Sequence, residues 1–407
     1  MGLVLFTSML KFTTAGESHG QALISILEGA PAGLPLIAAD VNTDLARRQQ
    51  GYGRGRRMQI ESDAVEILSG VRAGFTIGSP IAMMIRNRDW DNWREIMDPA
   101  PDVPDESGAT TARKRVVTRP RPGHADLSGM LKYDRDDARD VLERASARET
   151  TARVAAGAIC RKLLGEFGIV IGSHIVQLGG IDAVLPDELP ADINAVSDES
   201  QVRTLDPRAE AAIIARIDEA KKAGDTLGGV CEVVCTGLPI GIGSHVSWDR
   251  KLDGRIGAAM MSIPAVKGVG IGIGFDAAKN PGSAVHDEIL SGGESARTAN
   301  LRRRTNRAGG LEGGMTTGEP LVVRVAMKPI STLMRPLATV EMKTGEAASA
   351  VAERSDVTAV PAMGVIAEAM LAFVVAHAMI EKFGGDSLKE MRRNFDGYVQ
   401  QIASRRG

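Results

Sequence analysis

A pattern of glycine, threonine and proline occurs twice in this 407-residue chain and restricts how the chain can fold. The first copy, Gly70 to Pro80, reads Gly-Val-Arg-Ala-Gly-Phe-Thr-Ile-Gly-Ser-Pro. The second, Gly310 to Pro320, reads Gly-Leu-Glu-Gly-Gly-Met-Thr-Thr-Gly-Glu-Pro, at an offset of 310 − 70 = 240. Glycine allows the positive φ of tight turns, and each copy continues into an apolar strand. We predict an internal duplication, against the alternative that turn residues match by chance.

A second resemblance between the two parts of the chain supports this prediction. A Glu-Arg pair opens an alanine-rich helix downstream of each copy, at Glu143-Arg144 and at Glu353-Arg354. The two halves would then be pseudo-equivalent parts of one domain.

Charge and composition exclude several classes of protein. The chain has 49 Lys and Arg against 51 Asp and Glu, a formal net charge of −2, so it offers no overall basic field for nucleic acid. Only 8 Phe, 3 Tyr and 3 Trp are available as stacking platforms for single strands. Cys160, Cys231 and Cys235 fit neither a disulfide framework nor a zinc site. We expect no metal, reduced buried thiols and a cytoplasmic location.

The pattern of apolar residues predicts several elements. The run from Ala359 to Ile380 contains Pro361, Glu368 and His377, which indicates a buried helix rather than a membrane span. The predicted helices and strands also include a helix over 206–224, one long helix over 140–164, a short helix from Asn42, strands over 22–27, 60–68 and 230–235, and a loop-like segment over 175–201. Residues 1–8 lack the features of a signal peptide and are interpreted as an N-terminal extension of a domain over 9–400.

Loops rich in arginine, glycine and histidine are the candidate functional segments. Arginines interleave with glycines in 47–57 and 302–320, a combination that suits anion binding, although a solvated basic loop is the alternative. His19 and His124 lie in short loops among small residues, where an imidazole can exchange protons near neutrality or simply hydrogen-bond the loop. A long polar loop over 86–123, with Trp90 and Trp93, is predicted to be functional. The residues alone predict a large α+β domain that binds an anionic ligand.

Six motifs in order carry a specific resemblance. They are Gly16-Glu-Ser-His-Gly20, Arg121-Pro-Gly-His-Ala-Asp126, Glu143-Arg-Ala-Ser-Ala-Arg-Glu-Thr150, Thr305-Asn-Arg-Ala-Gly-Gly-Leu-Glu-Gly-Gly-Met315, Lys328-Pro-Ile-Ser-Thr332 and Glu353-Arg-Ser-Asp356. Together they closely resemble the chorismate synthase family, from Met9 to Ser387. The resemblance implies a single α+β domain with helices between antiparallel sheets, associating as a homotetramer. It also implies a lyase that removes phosphate and a proton from 5-enolpyruvylshikimate 3-phosphate to give chorismate, and needs reduced FMN without net redox change.

The resemblance also assigns residues. His19 would be the general acid for the departing phosphate, helped by Ser18, His124 would lie at the flavin, and Asp356 would act with flavin N5 as proton acceptor. The implied FMN contacts are Arg144, Ala145, Ser146, Pro264, Ala265, Gly313, Lys328, Pro329, Ile330, Ser331, Thr332 and Arg354. The implied contacts to the anionic substrate are Arg48, Arg54, Arg57, Arg121 and Arg354, with Arg48 and Arg54 also linked to NADPH.

Two departures and two alternatives accompany this assignment. Ala145 stands where the family often has serine and Pro264 where it often has an amide residue, so side-chain hydrogen bonds to FMN are in doubt there. One alternative is a flavin oxidoreductase with net hydride transfer, which would consume NAD(P)H in step with product. The other is a phosphate-binding or nucleic-acid-binding module, which would show strongly salt-dependent affinity.

Overall fold

Two antiparallel sheets enclose a layer of helices in a computed structural model that describes residues 10–55, 62–100, 115–351 and 356–406. Within these ranges the strands are β1 Lys11–Ala15, β2 Ala22–Glu28, β3 Val65–Ile67, β4 Val71–Arg72, β5 Phe75–Thr76, β6 Ile81–Arg86, β7 Val170–Leu178, β8 Ile181–Asp182, β9 Gly229–Thr236, β10 Val266–Ile271, β11 Ile289–Ser291, β12 Leu301–Arg303, β13 Leu311–Glu312, β14 Met315–Thr316, β15 Leu321–Met327, β16 Ala338–Val340 and β17 Ala347–Ser349. The helices are α1 Ala38–Gln49, α2 Arg94–Met97, α3 Asp126–Tyr133, α4 Arg139–Ala145, α5 Thr150–Gly165, α6 Ile193–Ser197, α7 Pro207–Ala223, α8 Leu252–Met261, α9 Val360–Phe383 and α10 Leu388–Ala403.

The strand order explains where the core lies. The first sheet runs β1-β2-β6-β3 and the second runs β10-β15-β9-β7-β8, with every pair antiparallel. Helix α5 packs against β2 of the first sheet and against α9, which in turn packs on β7 and β9 of the second sheet. Cys231, Val233 and Cys235 alternate on the inner face of β9 and are fully buried. The predicted α+β domain with helices between sheets is confirmed.

Helix α9 is the centre of this layer. By length and composition it could cross a membrane, with a mean hydropathy of 2.0, but 89% of that apolar window is buried inside the protein. Its crossing with α5 is close, because a Cβ at Gly157 would lie 2.4 Å from the Cβ of Ala369. Pro361 lies in its first turn and Gly384 follows its end.

A buried ion network fastens α1 to this central helix. Glu368 of α9 is fully buried and binds Arg47, Arg161 and Arg203 at 2.8–3.2 Å. Burial alone would raise the pKa of Glu368, but the three guanidinium groups outweigh it and hold that pKa at about 2. Removing one partner from such a network typically costs about 3–5 kcal/mol. The network therefore fixes the end of α1, where Arg48 follows Arg47.

The two copies of the repeated pattern have the same local structure. Each forms a two-strand hairpin, β4–β5 or β13–β14, and leads into a central strand, β6 or β15. In each copy the threonine hydroxyl donates to a proline carbonyl and accepts from a backbone N–H. The matching bonds are Thr76 to Pro31 at 2.6 Å and from Leu34 at 2.9 Å, and Thr316 to Pro239 at 2.6 Å and from Ile242 at 2.8 Å. Duplication of the complete halves stays a prediction, and Glu353-Arg354 lies outside the described residues.

Several boundaries differ from the predictions. The predicted helix over 140–164 is broken at Ser146, whose extended backbone separates α4 from a 3-10 turn, Ala147–Glu149, and α5. Helix α1 begins at Ala38 rather than near Asn42, because Asp40 accepts from the Ile37 N–H at 2.9 Å and caps the earlier turn. The predicted loop over 175–201 contains the end of β7, β8 and α6, and the predicted strand over 60–68 is described only as β3.

Candidate active site

His19 is held by a carboxylate from a distant helix. Its loop follows β1, and Glu143 of α4 receives hydrogen bonds from the His19 backbone N–H at 2.9 Å and from ring Nδ1 at 2.8 Å. Arg139, one turn earlier in α4, binds the same carboxylate at 2.8 Å. Burial works to raise the pKa of Glu143, but His19 and Arg139 outweigh it and lower that pKa. The imidazole is therefore oriented by a buried anion.

The Trp93 indole and the hydroxyls of Ser18 and Ser146 also lie at His19. We call the whole set the His19 group, which comprises His19, Glu143, Arg139, Trp93, Ser18 and Ser146. The Trp93 ring stacks on the His19 ring with centroids 3.8 Å apart and planes 22° apart. The Ser146 hydroxyl lies 3.2 Å from that of Ser18 and also accepts from the Arg148 N–H. The break between α4 and α5 is thus what brings Ser146 to the His19 loop.

Next to this group lies a set of charges that we call the arginine group: Arg48, Arg148 and Asp63, which are buried, and Arg54 and Asp356, which are half-buried. Arg148 binds Asp63 through Nη1 at 2.6 and 2.8 Å, and Asn87 links it to the His19 loop by accepting from Arg148 and donating to the Gly20 carbonyl. Arg54 lies 3.2 Å from Asp356, which also accepts from the Gly55 N–H at 2.6 Å. Charges of both signs are concentrated here, beside the imidazole.

Arg48 is the most constrained member of the arginine group. It is 4% exposed and donates to the Thr150 hydroxyl and the Ala147 carbonyl. Burial lowers its pKa to about 9, Arg54 and Arg148 add to that effect, and Asp63 opposes it. Because its charge is disfavoured by burial and by two like charges, a bound anion would stabilise it strongly.

His124 is held by a carboxylate two residues away. In what we call the His124 group, formed by His124, Arg121, Asp126, Lys328 and Thr332, Asp126 lies 2.5 Å from His124 Nδ1 and binds Arg121 at 2.8 Å. Burial works to raise the pKa of Asp126, but His124 and Arg121 outweigh it and hold that pKa well below its usual range. Arg121 also donates to the Thr332 hydroxyl at 2.9 Å.

The segment from Lys328 to Thr332 closes the other side of the His124 group. Lys328 Nζ donates to the Gly123 carbonyl at 2.5 Å, and its N–H donates to the Ala265 carbonyl at 3.0 Å. Ala265 adopts a left-handed φ of 66°, an uncommon conformation for a residue with a Cβ. Ala265 and its neighbour Pro264 thus lie beside the Lys328 segment, and their contact with FMN stays a prediction.

The predicted site residues fall into two places. Arg144, Ala145 and Ser146 lie with His19, where Arg144 donates to the Thr14 and Gly16 carbonyls. Pro264, Ala265 and the segment from Lys328 to Thr332 lie with His124, whereas Gly313 sits in the β13–β14 hairpin with His245 as its nearest side chain. Arg57 and Arg354 lie outside the described residues. The division between substrate and flavin contacts stays a prediction.

Six members of these groups were not singled out as site residues from the sequence. Glu143, Arg148 and Asp126 stood inside quoted motifs, Trp93 inside the predicted functional loop, Asp63 in a predicted strand, and Arg139 just before the helix predicted over 140–164. A carboxylate two residues after a histidine in a Pro-Gly turn was a usable signal for Asp126. Nothing local connects Glu143 with His19, since 124 residues separate them.

One helix pair supports both histidines. Asp126 is the first residue of α3 and Glu143 lies in α4, and the two helices pack together through Met130, Ala138 and Leu142. The described part of the chain contains no cluster of three or more His, Cys, Asp or Glu side chains suited to a metal ion. The fold and these groups define an α+β protein in which two histidines are oriented by buried carboxylates and one of them lies beside a cluster of arginines.

Comparison with known proteins gives a consistent result. A family model described as chorismate synthase matches residues 10–380. The chorismate synthase of Symbiobacterium thermophilum is 57% identical over 397 residues, covering 97% of this chain and 100% of the relative, and that of Geobacter metallireducens is 53% identical over 401 residues with the same coverage. A crystal structure of chorismate synthase aligns with a TM-score of 0.76 at 44% identity, covering 97% of this chain and 98% of the other.

The chain belongs to the chorismate synthase family. Its activity is that of a carbon–oxygen lyase acting on phosphates in the shikimate pathway: the 1,4-elimination that gives chorismate. The family depends on a reduced flavin.

Proposed function

We propose that the two histidine groups divide one elimination between them. In this division the His19 and arginine groups bind 5-enolpyruvylshikimate 3-phosphate and protonate its departing phosphate, while the His124 group holds reduced FMN. The observation that carries the proposal is the arginine group, with Arg48 buried, next to an imidazole fixed by Glu143. The substrate has a phosphate and two carboxylates, and planar guanidinium groups match such anions.

The His19 group has the geometry of a general acid. Since Glu143 engages Nδ1, any proton that His19 gives to a ligand leaves from Nε2. Ser18 and Ser146 place two hydroxyl groups 3.2 Å apart beside the imidazole, where they can orient a phosphate oxygen. A positioned acid of this kind typically contributes about 10²–10⁴-fold to the rate.

The His124 group fits a reduced, electron-rich flavin. Arg121 and Lys328 bring two cations to one short loop, and His124 and the Thr332 hydroxyl lie within the same hydrogen-bond network. A Cβ at Gly123 would meet Ser331 at 3.5 Å and Lys328 at 3.6 Å, so the loop lies close to the segment that would hold the cofactor. When bound, reduced FMN supplies transient electron density that weakens the departing C–O bond.

Asp356 is proposed as part of the acceptor for the ring proton. Its described contacts are with Arg54 and Gly55, so an arginine pairs with the carboxylate and one backbone N–H fixes its orientation. We further propose a homotetramer in the cytoplasm, with NADPH as a possible reductant reached through Arg48 and Arg54. Arg57 and Arg354 are proposed ligand contacts on the strength of the family motif alone.

Separate binding measurements test the division. Arg48→Met should weaken binding of the phosphorylated substrate about 10- to 100-fold, the effect of losing a charged hydrogen bond, and leave the Kd of FMN within about twofold. Lys328→Met should weaken binding of FMN about 10- to 100-fold and leave the Kd of the phosphorylated substrate within about twofold. Arg392→Met, which removes an exposed arginine paired with Glu166, is the control and should change neither. Loss of both affinities in either variant would contradict two separate ligand sites.

A further inference from the structure

The long loop predicted to be functional contains an aromatic ring that the activity described so far does not use. Trp93 is 9% exposed and lies between the 3-10 turn Trp90–Asn92 and helix α2. Its indole N–H donates to Asp89 at 2.8 Å, and its backbone N–H donates to the Trp90 carbonyl at 2.9 Å. The ring is therefore fixed from its own loop, before any contact with His19.

The stacked pair is part of a larger ordered assembly. The Arg115 guanidinium lies 4.4 Å from the Trp93 ring centroid and the Arg139 guanidinium 5.1 Å from it. Arg139 also binds Glu143 at 2.8 Å and the Arg115 carbonyl at 3.0 Å. Cations are attracted to the face of an indole, so these contacts hold the ring against the His19 loop. Arg139 thus contacts both Glu143 and Trp93, the two side chains that hold the His19 ring.

The two supports restrict different motions of the imidazole. Glu143 holds one edge of the ring through Nδ1, and a ring held at one edge can still tilt about that hydrogen bond. A flat indole at 3.8 Å and 22° blocks that tilt. We infer that Trp93 is a positioning residue that sets the plane of the His19 ring, and so the direction in which Nε2 presents its proton. This inference rests on the proposed role of His19 as general acid.

Two substitutions of Trp93 distinguish the effect of its flat aromatic face from the effect of a buried apolar side chain. Trp93→Phe keeps an aromatic face, whereas Trp93→Leu keeps an apolar side chain without one. With saturating substrate and reduced FMN, Trp93→Leu should lower kcat about 30-fold with KM within about threefold, because a misplacement of about 1 Å can cost about 10²-fold. Trp93→Phe should stay within about fivefold of the parent. Trp248→Leu, at an indole that is 86% exposed and belongs to none of these groups, is the control and should leave kcat unchanged.

A measurement of ring position that needs no turnover accompanies the kinetics. Stacking on an indole shifts the His19 ring protons upfield in the NMR spectrum, and His19→Ala identifies those resonances among the six histidines. The upfield shift should disappear in Trp93→Leu and be largely kept in Trp93→Phe.

The possible results distinguish a failure of the role inferred for Trp93 from a failure of the acid role proposed for His19. Loss of the upfield shift together with a fall in kcat at constant KM supports positioning by Trp93. Loss of the shift with unchanged kcat overturns it, and so does an equal fall in kcat for Phe and Leu, which would indicate packing alone. Near-normal turnover by His19→Ala would instead remove the premise that His19 is the acid.

Discussion

The His19 and His124 groups share one arrangement of histidine, carboxylate and arginine, but the chain assembles it in two different ways. In each, ring Nδ1 contacts a buried carboxylate that is also bound by an arginine, Glu143 with Arg139 or Asp126 with Arg121. The His124 version lies within six consecutive residues, whereas the His19 version joins loop and helix across 124 residues. A local turn can form this arrangement by itself, but the distant version exists only once the fold has formed.

The surroundings of the two histidines differ as much as their construction. His19 is stacked on an indole and adjoins the buried arginine group, while His124 adjoins one lysine and one threonine from a single segment. On our proposal the two histidines, oriented in the same way, have different roles, and the neighbouring cations and hydroxyls select the ligand of each.

The largest expected effect comes from removing either imidazole. His19→Ala and His124→Ala should fold normally and lower kcat by about 10²–10⁴-fold, the usual contribution of a proton-transfer group. His286→Ala, an exposed histidine elsewhere, serves as the control. Steady-state turnover with reduced FMN measures the effect. If one variant keeps near-normal turnover, that histidine has no part in the mechanism and the comparison fails.

A smaller loss is expected from the two orienting carboxylates. Glu143→Gln and Asp126→Asn keep the size of the side chain but remove the charge that holds Nδ1–H, and each should lower kcat about 10²-fold. Circular dichroism should show a folded chain in both. A loss of turnover in one variant only would show that the two histidines are not supported in equivalent ways.

The parent protein and the variants Glu143→Gln and Asp126→Asn should also differ in their stability at acid pH. The pKa values of the two carboxylates are lowered in the folded state, so each stabilises the protein above its unfolded pKa, near 4, and loses that contribution as the pH falls through the folded value. Between pH 5 and pH 3 the parent should therefore lose more free energy of unfolding than either variant. Parallel curves for all three proteins, measured by urea unfolding, would contradict this.

The smallest effect is expected at the break between α4 and α5. Ser146→Ala removes the hydroxyl beside Ser18 and the acceptor for the Arg148 N–H, so it should cost about 1 kcal/mol of stability. We expect a fall in kcat of only a few fold. Ser404→Ala, at an exposed chain end, is the control for urea unfolding. A kcat loss as large as that of His19→Ala would make Ser146 part of the chemistry.

The comparison also shows what could be predicted from the sequence. The turn at Arg121 to Asp126, the helix ended by Gly224 and the core helix before Gly384 are local patterns, and the structure contains them. The motifs also identified His19 and Arg48. The partner of His19 could not be predicted, because pairing with Glu143 depends on where α4 packs. The break at Ser146 was missed because alanine-rich flanks favour one continuous helix, and the tertiary contact with Ser18 overrides that preference.

We propose that the two histidine groups form one site that eliminates phosphate with catalytic help from reduced flavin. The direct measurement is phosphate release from 5-enolpyruvylshikimate 3-phosphate under anaerobic conditions, with photoreduced FMN compared with oxidised FMN. We predict release only with reduced FMN, with many turnovers per flavin and no NAD(P)H consumed in step with product. Absence of release under both conditions, from a folded protein with flavin bound, would contradict the account.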